Sequence, residues 1–166
     1  EALQVLQDWL EDHPQDFQVQ LELANGYLAL EREAEARAAY SRVIKLYPNH
    51  VPTLNNLAWL TRDQDLKQAI AYAERAYELA PGEAKVADTL GTLLIKQGNS
   101  RRGYEMVQKA AKLSPGDPEI QLHYARTLVE QKKFADARTV LNAVVANHSA
   151  SEFSREAETL LQSLPQ

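Results

Sequence analysis

Apolar positions along this chain recur with the period of an α-helix, in one segment after another. In residues 43–46, 76–79 and 110–113 the apolar side chains lie three positions apart, and each segment ends two residues before a proline. This spacing is typical of a helix with one buried face. Proline then favours the end of the helix, because it has no N–H to donate to the preceding turn. The pattern predicts an all-α protein.

The helical pattern repeats at a nearly constant interval. Pro14, Pro48, Pro81 and Pro115 stand 34, 33 and 34 residues apart. If each closing proline is position 32 of its unit, small residues recur at positions 8 and 20, and apolar residues at positions 7, 24 and 27. Small side chains let two antiparallel helices approach closely, whereas larger apolar ones fill the layer between neighbouring pairs. The small residues are Ala24, Ala58, Gly91 and Ala125 at position 8, and Ala36, Ala69, Gly103 and Ala137 at position 20.

Together these positions resemble the tetratricopeptide repeat. The resemblance implies an all-α fold, a right-handed α-solenoid in which antiparallel helix pairs form a superhelix that ends in a capping helix. Residues 1–16 resemble only the second helix of a truncated repeat, so we interpret the chain as a piece of a longer protein. The expected repeats are residues 17–50, 51–83, 84–117 and 118–151, and residues 152–166 are expected to form the capping helix.

Local signals indicate where helices begin and where one repeat is shorter. Asp117 followed by Pro118 is typical of a helix N-cap with proline in the first turn. Ser149 and Glu152 have the spacing of a capping box, which predicts that the last helix starts near residue 152. The second repeat is one residue shorter than the others, and we place the deletion in the turn at residues 62–65.

Composition excludes several kinds of chemistry. The 166 residues are 45% hydrophobic and 25% charged and include no cysteine, which rules out disulfides, a thiolate nucleophile and cysteine-ligated metal centres. The net charge of -5 argues against nucleic-acid binding, which usually requires a basic surface. Neither a nucleotide-binding glycine motif nor a catalytic pair of side chains is present. The sequence therefore predicts a protein that is not an enzyme and uses no cofactor.

The histidines do not suggest a metal site. His13, His50, His123 and His148 are scattered through the chain and lack the spacing of metal ligands. Three of them fall in predicted turns between helices, where we expect them to be exposed to solvent.

The aromatic residues fall into two groups. Trp9, Tyr27, Tyr40 and Tyr124 occupy positions that belong to the core of tetratricopeptide repeats, so we expect them to be packed. Trp59 lies at position 9 of a first helix, and in that family the first helices line the concave groove. The resemblance implies a partner-binding groove that displays Asn25, Asn55, Asn56, Trp59, Arg62, Lys85, Asp88, Thr92, His123 and Arg126. Amides, a flat aromatic ring and a few charges suit an extended peptide segment.

Some members of the family clamp a C-terminal carboxylate with Lys and Asn in one repeat, Asn in the next, and Lys and Arg in the third. Asn25, Asn56 and Lys85 match three of these positions, but Leu21 and Thr89 replace the other Lys and the Arg. The sequence therefore leaves open whether the groove binds a free C-terminus or an internal segment.

A more specific resemblance concerns bacterial lipoproteins. Residues 55–60, 71–76, 79–81, 87–91 and 118–125 are similar to the C-terminal repeats of the tetratricopeptide lipoproteins of the PEP-CTERM/exosortase system. This similarity implies a non-catalytic scaffold that supports exopolysaccharide-associated protein sorting or export. It also implies a location in the bacterial cell envelope, in the periplasm or at the outer membrane, with a lipid anchor outside this fragment. A cytoplasmic location stays open.

Two alternative interpretations assign the chain to other functional classes. The repeats could form the substrate-presenting arm of an enzyme, such as a glycosyltransferase, whose catalytic domain lies outside this fragment. An RNA reader is disfavoured because the chain is acidic and lacks a basic groove. The incomplete repeat at residues 1–16 would also permit self-association of the chain.

Overall fold

The structure is a computed structural model that describes residues 2–165, and that part of the chain forms ten α-helices and no strand. In chain order the helices are α1 (Ala2–Asp12), α2 (Phe17–Ala29), α3 (Glu33–Leu46), α4 (Val51–Thr61), α5 (Leu66–Leu79), α6 (Ala84–Gln97), α7 (Ser100–Leu113), α8 (Pro118–Glu130), α9 (Phe134–Asn147) and α10 (Glu152–Ser163). The predicted all-α solenoid fold of antiparallel helix pairs followed by a terminal helix is confirmed. None of the described helices has both the length and the apolar character needed to cross a bilayer.

The first of two compact units ends at Ala80 and contains α1 to α5. Each helix of this unit packs against the next one along the chain. Tyr27, Tyr40 and Leu57 are buried in its core, against which Leu6 and Leu10 of α1 also pack. Apolar side chains packed between successive helices therefore hold this unit together.

The second compact unit starts at Pro81 and contains α6 to α10. Successive helices pack here as well, and α8 also contacts α6 on one side and α10 on the other. Leu122, Leu128, Leu141 and Ala157 are buried together where α8, α9 and α10 meet. The terminal helix thus covers apolar surface of the last pair, which is the role expected of a capping helix.

Small residues lie at the contact within each helix pair, as the repeat pattern predicted. The approach is closest between α6 and α7, where Gly91 faces Gly103. A Cβ atom added to Gly91 would lie 2.8 Å from the backbone nitrogen of Val107 and 2.9 Å from the carbonyl oxygen of Gly103. The corresponding alanines of the other pairs are fully buried: Ala24, Ala36, Ala58, Ala69, Ala125 and Ala137.

Side-chain caps start four of the described helices. Asp117 accepts hydrogen bonds from the backbone N–H groups of Glu119 and Ile120, so its predicted role as the N-cap of α8 is confirmed. The predicted capping box of Ser149 was wrong. Ser151 caps α10 instead and accepts a hydrogen bond from the backbone N–H of Ser154. Helix α10 begins one residue after its cap, so Ser149 lies too early in the chain to reach the free N–H groups. Asp16 and Asp65 cap α2 and α5 in the same way.

The turns inside the helix pairs share a left-handed residue. Glu31, Gly98 and Lys132 have φ angles of 56°, 96° and 59° and occupy the same position of their repeats. Only glycine adopts this conformation without a steric cost. Helix α4 ends early, at Thr61, and the turn that follows it contains no residue with positive φ. The turn that lacks a left-handed residue, at residues 62–65, is the one in which we located the missing residue of the second repeat.

The expectation that Trp9 is packed in a core was wrong. Trp9 is 50% exposed, whereas Tyr27 and Tyr40 are buried as predicted and Tyr124 is partly buried. The reason lies in the placement of α1, which packs against α2 with its other side, through Leu3 and its neighbours.

The contact between Gly91 and Gly103 generates a stability prediction. Replacing glycine with alanine inside a helix normally stabilises the helix by about 1 kcal/mol. At Gly91 we expect the opposite sign, a loss of roughly 1–3 kcal/mol in the free energy of unfolding, because the added methyl group meets backbone atoms that cannot move aside. Gly91→Leu should be more destabilising still. Chemical denaturation followed by circular dichroism measures both.

Gly116→Ala is the matched control. Nothing lies within 4 Å of a Cβ atom at Gly116, so this change should alter stability by less than about 0.5 kcal/mol. Equal stability of Gly91→Ala and the wild-type chain would contradict the close approach of α6 and α7.

Candidate functional site

The residues predicted to bind a partner lie on two surfaces, one in each compact unit. The asparagine–tryptophan surface belongs to the first unit and consists of Asn25 on α2, Asn55, Asn56 and Trp59 on α4, and Arg62 directly after α4. The aspartate–histidine surface belongs to the second unit and consists of Lys85, Asp88 and Thr92 on α6 and His123 and Arg126 on α8.

A buried tyrosine hydroxyl connects two of the amides. The hydroxyl of Tyr40 on α3 donates a hydrogen bond to Oδ1 of Asn25 (2.6 Å), and Nδ2 of Asn56 donates one to the same hydroxyl (2.9 Å). Burial raises the pKa of Tyr40, although the hydrogen bond from Asn56 opposes the shift. The hydroxyl therefore stays protonated and fixes both amides. Nδ2 of Asn25 and Oδ1 of Asn56 keep their capacity to bond a partner.

Trp59 is held by the residue that ends its helix. The guanidinium group of Arg62 lies over the indole ring, 4.1 Å from the ring centroid, and its Nη1 donates a 2.7 Å hydrogen bond to the carbonyl oxygen of Trp59. Asp63 forms an ion pair with Arg62 at 3.3 Å. A cation over an aromatic face is attractive. Trp59 nevertheless remains 38% exposed, so part of a preoriented ring faces solvent.

Asn55 contributes an unsatisfied acceptor on the same helix. Its Oδ1 atom is buried and has no hydrogen-bond partner within the described residues. Buried polar atoms are normally paired, and an unpaired one is costly. A donor that reaches this atom after a small local rearrangement, whether from a partner or from water, would therefore be bound favourably at Asn55.

An aspartate–histidine pair joins two helices of the second unit. Nδ1 of His123 on α8 lies 2.7 Å from Oδ2 of Asp88 on α6. Asp88 is buried rather than displayed, with its carboxylate only 9% exposed, and its other oxygen has no partner in the described part of the chain. The side chain of His123 is 15% exposed and is therefore the more accessible end of the pair.

Both groups of this pair have perturbed pKa values. Burial raises the pKa of Asp88, because the carboxylate loses solvation, and the hydrogen bond to His123 only partly offsets it. Burial alone would lower the pKa of His123. The hydrogen bond and charge of Asp88, together with the charge of Glu119, outweigh burial and raise the pKa of His123, while Arg126 opposes them. The pair therefore favours a protonated imidazole.

The other members of the aspartate–histidine surface differ in their availability. Lys85 is exposed. Arg126 is also exposed but forms an ion pair with Glu156 of α10, so the terminal helix already holds this guanidinium group. The hydroxyl of Thr92 donates to backbone carbonyl groups of its own helix, at Asp88 and Thr89. The structure thus places Thr92 on the surface without a free donor.

Sequence reasoning missed two features of the site. Tyr40 was assigned to the core, and its position in the repeat gave no sign that its hydroxyl fixes two predicted binding residues. The Asp88–His123 pair joins residues 35 positions apart, close to one repeat length. Residues one repeat apart on neighbouring first helices lie side by side, so this spacing was the available signal. Within residues 2–165, no group of three ligating side chains is placed to hold a metal ion.

Comparisons with protein families agree with this architecture. A tetratricopeptide repeat model matches residues 18–50, and the model described as anaphase-promoting complex, cyclosome, subunit 3 matches residues 62–144, half of the chain. The chain belongs to the tetratricopeptide repeat family. Proteins of this fold are generally protein–protein interaction scaffolds, and neither match indicates an enzyme family. No curated protein sequence matches this tetratricopeptide chain significantly.

Solved structures of tetratricopeptide proteins share the fold. TTC0263 from Thermus thermophilus is 17% identical and has a TM-score of 0.79 over 97% of this chain and 89% of that chain. MamA (41-end) from Desulfovibrio magneticus is 22% identical, with a TM-score of 0.76 over 92% and 86%. YrrB, described as a TPR protein with an unusual peptide-binding site, is 18% identical, with a TM-score of 0.67 over 86% and 74%. At these identities the likeness shows the fold alone.

The Asp88–His123 pair predicts a specific titration behaviour. In Asp88→Asn we expect the pKa of His123 to fall, because the negative charge that favours the imidazolium is removed while burial of the ring remains. Histidine ring signals followed by NMR across a pH titration measure this value.

His50 is the internal control for that titration. It was expected to be solvent-exposed, but it is partly buried, and burial lowers its pKa. His50 belongs to the other unit, so Asp88→Asn should leave its titration unchanged. Because the pKa of His123 is raised in the folded chain, protonation of His123 stabilises the fold. This stabilisation is fully present below the ordinary pKa of 6.5 and is lost as the pH rises through the pKa of the folded chain. An unchanged pKa of His123 in Asp88→Asn would refute the pairing.

Proposed function

We propose that this tetratricopeptide chain is a non-catalytic scaffold whose groove binds an extended segment of a partner protein. The observation that carries the proposal is Trp59, a tryptophan left 38% exposed while the cation of Arg62 orients its ring. Tryptophan and arginine are the residues that most often dominate binding energy at protein interfaces. An exposed ring that is already fixed costs little conformational entropy when a partner covers it.

The amides near Trp59 support an extended peptide as the occupant. A peptide in extended conformation presents N–H and C=O groups along its length, and these need both acceptors and donors from the groove. Oδ1 of Asn56 supplies an acceptor, and Nδ2 of Asn25 supplies donors, because Tyr40 uses only the other atom of each amide. The Tyr40 bridge keeps the two side chains from rotating freely before binding.

The second unit offers a surface of its own for a negatively charged group of a partner. Lys85 is exposed, and the protonated form of His123 adds positive charge at the accessible end of its pair with Asp88. A partner with an acidic side chain or a free carboxylate fits this surface. Arg126 is not counted toward this surface, because it already forms an ion pair with Glu156.

We also propose that the partner lies in the bacterial cell envelope, where this chain would serve protein sorting or export linked to exopolysaccharide. The support is the similarity of segments such as 55–60 and 87–91 to the tetratricopeptide lipoproteins of the PEP-CTERM/exosortase system. On this proposal the full-length protein carries a lipid anchor outside the present residues. Fractionation of native cells tests it, with recovery in the membrane fraction expected and recovery in the cytoplasm alone opposing it.

The groove is tested with peptides selected from a random display library against the folded chain. We expect Trp59→Ala to weaken binding of a selected peptide at least tenfold, equivalent to about 1.4 kcal/mol, because the mutation removes an anchoring ring. Fluorescence anisotropy of the labelled peptide measures the dissociation constant.

Trp9→Ala is the matched control for this experiment. Trp9 lies in the same unit and is also exposed, at 50%, but it is outside the proposed groove. Its removal should leave peptide binding unchanged. Equal affinity of Trp59→Ala and the wild-type chain would show that the asparagine–tryptophan surface is not the binding site.

A further inference from the structure

The first helix carries an exposed stripe that the groove does not use. On α1, Val5 stands three and four positions before Asp8 and Trp9, and Asp12 stands four and three positions after them. These four residues therefore share one side of the helix, and all four are exposed. Val5 is 66% exposed and Trp9 is 50% exposed. The indole Nε1–H donates a 3.0 Å hydrogen bond to Asp16, which holds the ring in place. Fixed aromatic and aliphatic groups flanked by charge are typical of an interaction surface.

This α1 stripe is acidic. Helix α1 contains three acidic residues and no lysine or arginine. The imbalance extends through the sequence of the first unit, in which residues 1–80 include 13 acidic and 7 basic side chains. Residues 81–166 include 10 acidic and 11 basic side chains. The excess of negative charge is therefore confined to the half of the sequence that contains α1.

The second unit has a cleft with the complementary character. It lies between α7 and α8, has a volume of about 220 Å³ and is lined by the rings of Tyr104 and Tyr124 and by Leu128. Ligand pockets are usually larger, about 300–1,000 Å³, so this cleft suits a protruding side chain. Arg101, which is 94% exposed, and Lys133, also exposed, stand at its rim.

The acidic groups at the rim of this cleft are already engaged. Glu105 forms an ion pair with Arg101 at 3.5 Å, and Glu130 accepts a 2.8 Å hydrogen bond from the hydroxyl of Tyr104. Helix α7 as a whole carries four basic residues and one acidic residue. Of the charged residues that line the cleft, Arg101 and Lys133 are basic and Glu105 is acidic, so the lining carries a net positive charge that favours an acidic helix.

We propose that the chain associates with itself, the α1 stripe of one copy docking into the α7–α8 cleft of a second copy. Val5 and Trp9 contact the rings of Tyr104 and Tyr124, since aromatic side chains pack favourably against each other. Asp8 and Asp12 of the stripe then face the basic residues of the rim. Charge complementarity selects a second copy as the occupant, because the acidic stripe and the basic cleft belong to the same sequence.

The docked surfaces are different parts of the molecule. An interface of this kind is heterologous. When two molecules are joined by a single contact, one of them keeps an unoccupied stripe and the other keeps an unoccupied cleft. Association should therefore depend on concentration. Because charge contributes to it, association should weaken when the ionic strength is raised to about 1 M, where the Debye length is about 3 Å.

Sedimentation velocity over a range of protein concentrations tests the proposal on the whole 166-residue chain. The wild-type chain should show a sedimentation coefficient that rises with concentration. Two variants should each remain monomeric: the stripe variant Val5→Ser/Trp9→Ser and the cleft variant Arg101→Glu/Lys133→Glu. All four residues are outside the cores, so circular dichroism should show that both variants keep the fold.

Mixing the two monomeric variants gives the most specific result. The stripe variant keeps a cleft and the cleft variant keeps a stripe, so together they should form a heterodimer through a single contact. Leu30→Ser is the matched control, because Leu30 is an apolar residue with 61% exposure that belongs neither to the α1 stripe nor to the cleft, and this variant should associate like the wild-type chain.

Three outcomes would overturn the proposal: a wild-type chain that stays monomeric at every concentration, variants that associate as strongly as the wild type, or folded variants that do not combine when mixed. Trp59→Ala separates this proposal from the groove, because it should impair peptide binding and leave self-association intact.

Discussion

The close approach of two helices within each pair is the constraint on which the rest of the structure depends. Between α6 and α7 it is tightest, because the position of Gly91 faces the carbonyl oxygen of Gly103 with no room for a side chain. In the other pairs, alanines at the equivalent positions are fully buried. Apolar side chains around these contacts then form the cores of the two units. A larger residue at any of these positions would separate two helices and disturb the layers on both sides.

The candidate binding surfaces follow from this packing. Tyr40 is buried where α3 meets its neighbours, so its hydroxyl lies within hydrogen-bonding distance of both Asn25 and Asn56. In the second unit, α6 and α8 are close enough for Asp88 to bond His123. Residues that are far apart in the sequence are brought together because first helices of adjacent repeats lie side by side. The same regularity that builds the fold therefore spaces the polar groups of the two candidate surfaces.

The repeat made most of the fold predictable from the sequence. A period of 33 or 34 residues, small residues at two positions and prolines at helix ends were enough to place helix pairs, because each signal reflects local geometry. The predictions that failed depended on neighbours rather than on periodicity. Trp9 has a core position in the repeat, but α1 packs with its other side. Ser149 has the right spacing for a cap, but Ser151 lies next to the helix and makes the bond.

The candidate binding surfaces were harder to predict for a similar reason. Family positions identified Asn25, Asn56 and Trp59 as exposed or partly exposed groups, because first-helix residues share one side of the solenoid. They did not show that Tyr40 fixes two of them or that Asp88 is buried against His123, because these contacts depend on the particular side chains of neighbouring helices. A sequence pattern predicts which residues share one side of a helix, whereas the hydrogen bonds between helices can be identified only in the packed structure.

The most direct test of this account is a double-mutant cycle at the closest contact between helices. Gly91→Ala and Gly103→Ala each insert a methyl group into the same gap, since each added Cβ would lie within 2.9 Å of the other residue's carbonyl oxygen. Once one methyl group has separated the helices, the second should cost less. The free energies of unfolding should therefore be non-additive, with the double variant less destabilised than the sum by at least about 0.5 kcal/mol. Additive losses, or no loss in either single variant, would contradict the claim that this contact sets the spacing of the helix pair.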